Sequence, residues 1–305
     1  MNGRDYILTE SLGNERGRFK AHYVRRPSEP LVIHSIPTSP LALDRIKVLK
    51  RLSKDNRNLP FIVDEHREAN SIYIITAWIK GRPLRFYLDE IERGRRIPVL
   101  QAVRLITGLA HGLYHLHNHL HVIHGDIRPE NLILSPRSNK LVMVDFGSAW
   151  IVERTTRRFN AEGSDPFYTA PELFAVNANT QEPIADPRAD QFSASVILFE
   201  LLTGTLPFSG LGGKAGHPEF RTGQPTAPAS SLYKGAEKIP RRVWNAIDAV
   251  ITKGLALEPD KRHRSDSEWI EALKNVEYQS RRADETPTLT KAASWIYDAF
   301  IKKRT

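Results

Sequence analysis

His124-Gly125-Asp126-Ile127-Arg128-Pro129-Glu130-Asn131 leads into Leu132-Ile133-Leu134, a turn at Pro136 to Asn139, Leu141-Val142-Met143-Val144, and then Asp145-Phe146-Gly147. Two short apolar runs flanking a turn should pair as a hairpin. Its open end then joins Asn131, before the first strand, to Asp145, after the second. Both side chains carry oxygen, and Mg²⁺ takes hard oxygen ligands that it usually shares with phosphates. Asp126 lies on the loop just upstream and can reach the same space. An acid there that is not needed as a metal ligand can orient an attacking hydroxyl or accept its proton. The plainer alternative is a hairpin with incidental acids. It requires several separated residues to match by accident.

Outward from this segment the chain changes character. Tyr6-Ile7-Leu8, Phe19 to Val24, Leu31-Val32-Ile33, Phe61-Ile62-Val63 and Ser71 to Trp78 read as strands separated by Gly, Pro and charged turns. Leu41, Ile46, Leu49 and Leu52 fall at mostly helical spacing. From Leu100 onward the segments 100–117, 190–203, 243–257 and 266–276 read as helices. A mostly β first part and a mostly helical second part predict an α+β chain of two lobes. Lys80-Gly81-Arg82-Pro83 interrupts the pattern, which places the lobes at 1–79 and 80–280 and a tail at 281–305 with one short helix near 292–301. Residues 209–240, rich in Gly, Pro and Ser, read as a long surface loop.

Composition narrows the function classes. There is no cysteine, which excludes disulfides, thiolate metal sites and a Cys nucleophile and is compatible with a cytoplasmic location. No apolar run approaches the length of a membrane span, and Met1 to Glu10 lacks the basic-then-apolar pattern of a secretory signal. The net charge of +9 comes from 44 basic and 35 acidic residues. Its clusters, at Arg93/Arg95/Arg96, Arg157/Arg158, Arg241/Arg242 and Lys302-Lys303-Arg304, carry no interleaved aromatics, so solvated faces are expected rather than a nucleic-acid surface. His111, His115, His117, His119 and His121 have spacings suggestive of zinc, but no acid cluster accompanies them in sequence, and surface or packing roles are expected.

The 124–147 segment resembles the catalytic loop and Asp-Phe-Gly motif of the protein kinases, whose parts are a general worked case of phosphoryl transfer. Gly163-Ser164-Asp165-Pro166-Phe167-Tyr168-Thr169-Ala170-Pro171-Glu172 is similar to the end of their activation segment. Asp190 stands where the family anchors the catalytic-loop backbone. Glu258-Pro259-Asp260-Lys261-Arg262 matches the late motif whose Arg pairs with the Ala-Pro-Glu carboxylate. The resemblance, bacterial in style, covers about residues 6–276 and implies a two-lobed kinase fold acting with ATP and Mg²⁺ on Ser or Thr of a protein substrate. By it Asp126 is the catalytic base, Asn131 and Asp145 are the metal ligands, and Arg128 contacts the transferred phosphate. It implies nucleotide contacts at Gly13, Gly17, Lys20, Thr76, Trp78 and Ile133, with Thr76 at the rear of an interlobe cleft and the backbone of 77–79 on the adenine edge. Glu172 and Arg262 should form a buried bidentate pair. Oligomeric state is not readable from the chain.

Four departures from the family matter. Gly13-Asn14-Glu15-Arg16-Gly17-Arg18-Phe19-Lys20 keeps only two glycines of the Gly-rich loop. Leu31-Val32-Ile33-His34 puts His34 where the phosphate-gripping Lys belongs. The helix partner of that Lys aligns with Arg45, beside Asp44. Gly125 replaces the Arg that precedes the catalytic Asp, which weakens control by phosphorylation of the activation segment. One charge pair at about 4 Å and an effective dielectric near 20 is worth roughly 4 kcal/mol, so a neutral His34 is no substitute for Lys. Arg16 to Tyr23 also resembles the Gly-rich loop of the with-no-lysine kinases, which implies that Lys20 supplies the missing charge. It would share a strand face with His22. The competing functions are a pseudokinase scaffold, favoured by the second and third departures, and a small-molecule phosphotransferase, suggested by His124-Gly125-Asp126 and opposed by the Ala-Pro-Glu segment, Asp190 and Arg262.

Overall fold

Alternation along Ser71–Ala77 explains the first unit of the fold. In the computed structural model this segment is strand β5, with Ile72 and Ile74 on one face and Tyr73 and Ile75 on the other. Both faces are covered by apolar side chains, which is why the strand reads as a nearly continuous apolar run. The structure describes residues 6–12, 18–37, 40–52, 59–60, 62–135, 139–151, 165–174, 186–217, 220 and 226–281, without the side chains of 37 and 40–45. The contacts divide the chain into two compact units, Met1–Lys80 and Gly81–Thr305.

The first unit is a five-stranded antiparallel sheet. Strands β1 (Tyr6–Ser11), β2 (Arg18–Tyr23), β3 (Arg26–Pro37), β4 (Ile62–Arg67) and β5 are ordered β1-β2-β3-β5-β4. Helix α1 (Pro40–Arg51) brings Ile46 against Ile72 and Ile74, with Ile36, Leu49 and Ile62 at the margin. On the opposite face Ala21, Leu31, Ile33 and Ile75 form a core that Tyr6, Tyr23, Val63 and Tyr73 border.

The second unit is mainly helical. It runs β6 (Arg82–Pro83), α2 (Leu84–Glu92), α3 (Val99–Asn118), β7 (Val122–Ile123), β8 (Leu132–Ser135), β9 (Lys140–Met143), β10 (Trp150–Ile151), α4 (Pro171–Phe174), α5 (Arg188–Thr203), α6 (Ala229–Leu232), α7 (Arg241–Gly254) and α8 (Asp266–Arg281). Helix α5 is buried on every side apart from its ends, and Asp190, Gln191, Ser193, Ser195 and Glu200 are enclosed together with Phe192 and the run Val196-Ile197-Leu198-Phe199. It packs on α3 and α7, and α8 packs on both of these. Leu105, Ile106, Leu109 and Leu113 of α3 and Trp269 and Leu273 of α8 lie in this core. Helix α2 was not expected, although Leu84, Leu88 and Ile91 supply a helical stripe that is buried. Among the described residues no helix is long and apolar enough to cross a membrane.

The expected surface loop at 209–240 differs most. Its described parts include a 3₁₀ turn at Gly212–Gly216, helix α6 and a 3₁₀ turn at Ala236–Lys238. The Gly213 amide donates to the Phe167 carbonyl at 2.7 Å. A Cβ at Gly213 would lie 2.1 Å from the Thr169 carbonyl oxygen, so the glycine serves close backbone packing rather than exposure. The expected tail helix at 292–301 lies outside the described residues.

Candidate active site

The hairpin forms as the apolar runs demand, with Leu132 opposite Met143, Ile133 opposite Val142 and Leu134 opposite Leu141. Ile133 is partly buried in strand β8 and also faces Pro83 of β6. The Val144 amide donates to the Asn131 carbonyl at 2.9 Å and closes the open end. Asn131 is the last residue of a 3₁₀ turn, Pro129–Asn131, and is buried. Its side-chain amide donates to the Asp126 carboxylate (Oδ2) at 2.7 Å and to the Asp126 carbonyl at 3.0 Å. With the nitrogen committed in this way, the carboxamide oxygen is left as an acceptor. Asp145 follows Val144 with φ 63°, a left-handed conformation that Asp tolerates better than most residues. Its carboxylate accepts the Gly147 amide at 3.0 Å. A carboxamide oxygen and a carboxylate at one hairpin end fit a hard cation such as Mg²⁺.

Asp126 is held at the same end. Burial raises its pKa above the ordinary carboxylate value; nearby Arg128 and His124 oppose the shift, and Asp145 adds to it. The Arg128 Nε lies 3.5 Å from Asp126 Oδ2 and 4.0 Å from Glu130 Oε2. A carboxylate whose pKa is raised in this way is a stronger base once ionised.

Asp190, at the start of α5, fixes the loop that carries Asp126. Its two oxygens accept the backbone amides of His124 and Gly125, each at 2.9 Å. Gly125 has φ +73°, and a Cβ there would come within 2.2 Å of the Trp150 ring. Trp150 lies on β10 and pairs with Ile123. The ring therefore fills the volume in which any side chain at 125 would begin, which is the physical reason for glycine at this position. The His124 ring packs on Phe146, with centroids 4.7 Å apart.

The segment Asp165–Glu172 is tied to the same helices. Tyr168 donates to Glu200 at 2.7 Å, and Arg85 bonds Tyr168 Oη, Glu200 (3.2 Å) and Glu130 (3.0 Å). Glu172 and Arg262 form the bidentate pair, at 2.6 and 2.7 Å, with the guanidinium fully enclosed.

Of the expected nucleotide contacts of the first unit, Lys20 and Thr76 fall on one sheet face. Lys20 is opposite Val32, which is opposite Thr76. In the next row Arg18 is opposite His34, which is opposite Ile74. Arg18, not Lys20, is thus the lateral neighbour of His34. The Lys20 ammonium lies 4.9 Å over the Trp78 ring and 3.9 Å from Glu10. The Trp78 amide donates to the Pro30 carbonyl at 3.1 Å, so it is occupied within the sheet. Gly13, Gly17 and the side chains of Asp44 and Arg45 lie outside the described residues.

Sequence reading missed one buried group. His117 is not a surface or packing histidine: its ring contacts both Asp190 and Asp266. These carboxylates stand 73 and 149 residues away, so no local spacing pointed to them. Among the described residues no group of three or more His, Cys, Asp or Glu side chains is arranged to hold a metal ion.

Residues 38–277 match the protein kinase domain. The chain is 27% identical over 248 residues to the serine/threonine-protein kinase pkn3 of Myxococcus xanthus, covering 77% of this chain and 42% of that protein. It is 25% identical over 264 residues to the serine/threonine-protein kinase PrkC of Bacillus subtilis, covering 82% and 37%. It is 26% identical over 226 residues to the probable serine/threonine-protein kinase HSL1 of Saccharomyces cerevisiae, covering 74% and 13%. The chain thus spans less than half the length of each of these relatives. It belongs to the protein kinase family.

Proposed function

We propose, from membership of that family and from the site geometry, that the chain is a protein kinase that transfers the γ-phosphate of ATP, with Mg²⁺, to Ser or Thr hydroxyls of protein substrates. The observation that carries the proposal is the convergence of Asp126, Asn131 and Asp145, with Asn131 bonded to Asp126 at 2.7 Å. Asn131 and Asp145 would hold the metal. Bound ATP with Mg²⁺ supplies the phosphoryl group and neutralises charge that builds on its oxygens. Asp126 orients the substrate hydroxyl and takes its proton. Arg128, beside Asp126, faces the transferred phosphate. Asp190 holds the loop backbone so that the carboxylate of Asp126 is preorganised for its task. Lys20, Thr76 and Trp78 in the first unit and Ile133 in the second are proposed nucleotide contacts. Because the Trp78 amide is already used by Pro30, bonds to the adenine edge fall to the neighbouring backbone of Ala77 and Ile79.

Lys20 is the proposed source of the charge that His34 lacks. Its contact with Glu10 is a partly exposed pair, worth roughly 0–1 kcal/mol, so its stem can leave that partner at little cost. A second reading, a pseudokinase scaffold, is favoured by the same place: the ammonium rests over Trp78, and Arg18 rather than Lys20 is beside His34. Transfer of γ-phosphate from ATP to a generic protein substrate by the purified chain, with Asp126→Asn as control, separates the two. Transfer that Asp126→Asn abolishes supports the kinase; no transfer from a folded, nucleotide-binding chain supports the scaffold.

A further inference from the structure

His117 of α3 makes two hydrogen bonds within a closed pocket. Nε2 lies 2.8 Å from Asp190 Oδ2 and Nδ1 lies 2.8 Å from Asp266 Oδ2. The side chains are 2%, 1% and 3% exposed for His117, Asp190 and Asp266. A neutral imidazole has one donor and one acceptor, so it would point a lone pair at one of the carboxylates. Only the imidazolium donates to both. Burial alone pulls the His117 pKa down, but the hydrogen bonds and charges of Asp190 and Asp266 outweigh it and raise the value to about 9. His124 also faces this group, through its amide and its charge on Asp190.

Asp266 is the first residue of α8, and its remaining acceptor capacity is used locally. Asn118 of α3 donates to Oδ2 and Gln191 of α5 donates to Oδ1, both at 3.1 Å. One carboxylate therefore ties three helices together at the point where α5 begins. The chain of bonds continues from Asp266 to His117, to Asp190, and to the amides of His124 and Gly125.

We infer that Asp266 is a positioning residue for phosphoryl transfer: it holds His117 as a double donor, which holds Asp190, which holds the backbone carrying Asp126. This rests on the kinase reading of Asp126 given above. Charge-assisted hydrogen bonds are roughly twice as strong as neutral ones. With the Asp266 charge removed, His117 loses its proton at lower pH, and its bond to Asp190 weakens with it.

The test uses Asp266→Asn, with Asp266→Glu as the conservative variant. Amide hydrogen exchange is read at His124 and Gly125 against the buried α5 amides of Val196 and Phe199. In the same proteins kcat and KM for ATP are measured across pH. In Asp266→Asn, exchange at His124 and Gly125 should rise about tenfold relative to the α5 amides, the factor for a loss of one modest hydrogen bond. The kcat should fall by a similar factor with KM nearly unchanged. Its alkaline limb should move down by about one to three pH units, the usual effect of losing one opposite charge at contact. Asp266→Glu should recover most of each effect. Exchange that is unchanged, or that rises equally in α5, overturns the inference, as does an unaltered kcat. If the wild-type chain transfers no phosphate, the kinase reading fails while the exchange measurement still decides whether Asp266 holds the loop.

Discussion

Replacing Glu172 by Gln keeps the shape of the side chain and deletes the charge facing Arg262. The Arg262 guanidinium is fully enclosed. Besides Glu172 it donates to the carbonyls of Ala256 at 2.8 Å, Arg188 at 3.0 Å and Leu257 at 3.3 Å, and its charge lies 4.9 Å from the Phe192 ring centroid. The carbonyls satisfy N–H groups, but only Glu172 offers a countercharge among these partners. Stranding a buried charge costs roughly 3–5 kcal/mol. For a unit of this size each kcal/mol lowers Tm by about 2–4 °C, so a fall of roughly 6–20 °C is expected. Arg262→Met removes the charge but leaves three carbonyls without that donor, at about 1–3 kcal/mol for each that stays dry. The double variant Glu172→Gln/Arg262→Met should then be no less stable than Arg262→Met alone, with a coupling above about 2 kcal/mol. Urea unfolding followed by helical circular dichroism measures this, provided the m-value stays constant. A cost under about 1 kcal/mol for Glu172→Gln, or simple additivity in the double variant, would refute the reasoning.

Four further outcomes are expected. Asp145→Ala should abolish Mg²⁺-dependent nucleotide binding, while Asp126→Asn should spare binding and lower transfer by about 10²–10⁴-fold; equal loss of affinity in both would contradict the division of roles. Gly125→Arg should destabilise, by about 1–2 kcal/mol for the left-handed backbone alone and further for the collision with Trp150, whereas phosphatase treatment should leave wild-type activity intact; silencing by phosphatase would show a phosphate-dependent loop after all. Lys20→Met should lower transfer or nucleotide affinity by about 10²–10³-fold, as expected for one lost charge pair, and a silent substitution would turn the balance to the scaffold. The His117 pKa is raised from 6.5 to about 9, so its contribution to stability is complete below about pH 6.5 and is lost as pH rises through about 9. The stability difference between wild type and His117→Gln should shrink over that window, and a difference that is constant from pH 6 to pH 10 would show that the ring does not titrate there.

The elements that were legible in the sequence are those whose signal is local. Helix α5 announces itself by the apolar run Val196-Ile197-Leu198-Phe199, α3 by its period, and β5 by the run Ile72-Tyr73-Ile74-Ile75. Helix α2 was hidden because it follows Gly81-Arg82-Pro83, which reads as a break, and because it is short. The helical turns within 209–240 have no periodic signal at all. The 3₁₀ turn at Gly212–Gly216 packs where it does because Gly212 and Gly213 admit the Phe167 and Thr169 carbonyls at distances no Cβ allows, a tertiary cause that composition alone presents as a loop.

The site divides along the same line. Asn131 and Asp145 were readable because a hairpin turns sequence neighbours of its two strands into spatial neighbours, and Asp126 lies only five residues before Asn131. His117 and Asp266 were not, because a buried cluster drawn from three helices has no period in sequence. The first unit shows a subtler limit. Strand alternation correctly puts Lys20 and His22 on one face with Val32 and His34. Alternation does not say which residue of β2 stands beside His34. That depends on cross-strand register, which is set by the turn at Val24-Arg25 and by the irregularity between His22 and Tyr23. Beyond that irregularity the pairing runs His22 opposite Pro30, Lys20 opposite Val32 and Arg18 opposite His34, so Arg18 meets His34. A cation is therefore present on the row of His34 as well as on the row of Thr76. A parallel Arg18→Met substitution beside Lys20→Met would assign the missing charge to one row or the other. Loss confined to Arg18→Met would move the proposed phosphate contact one row along the same face.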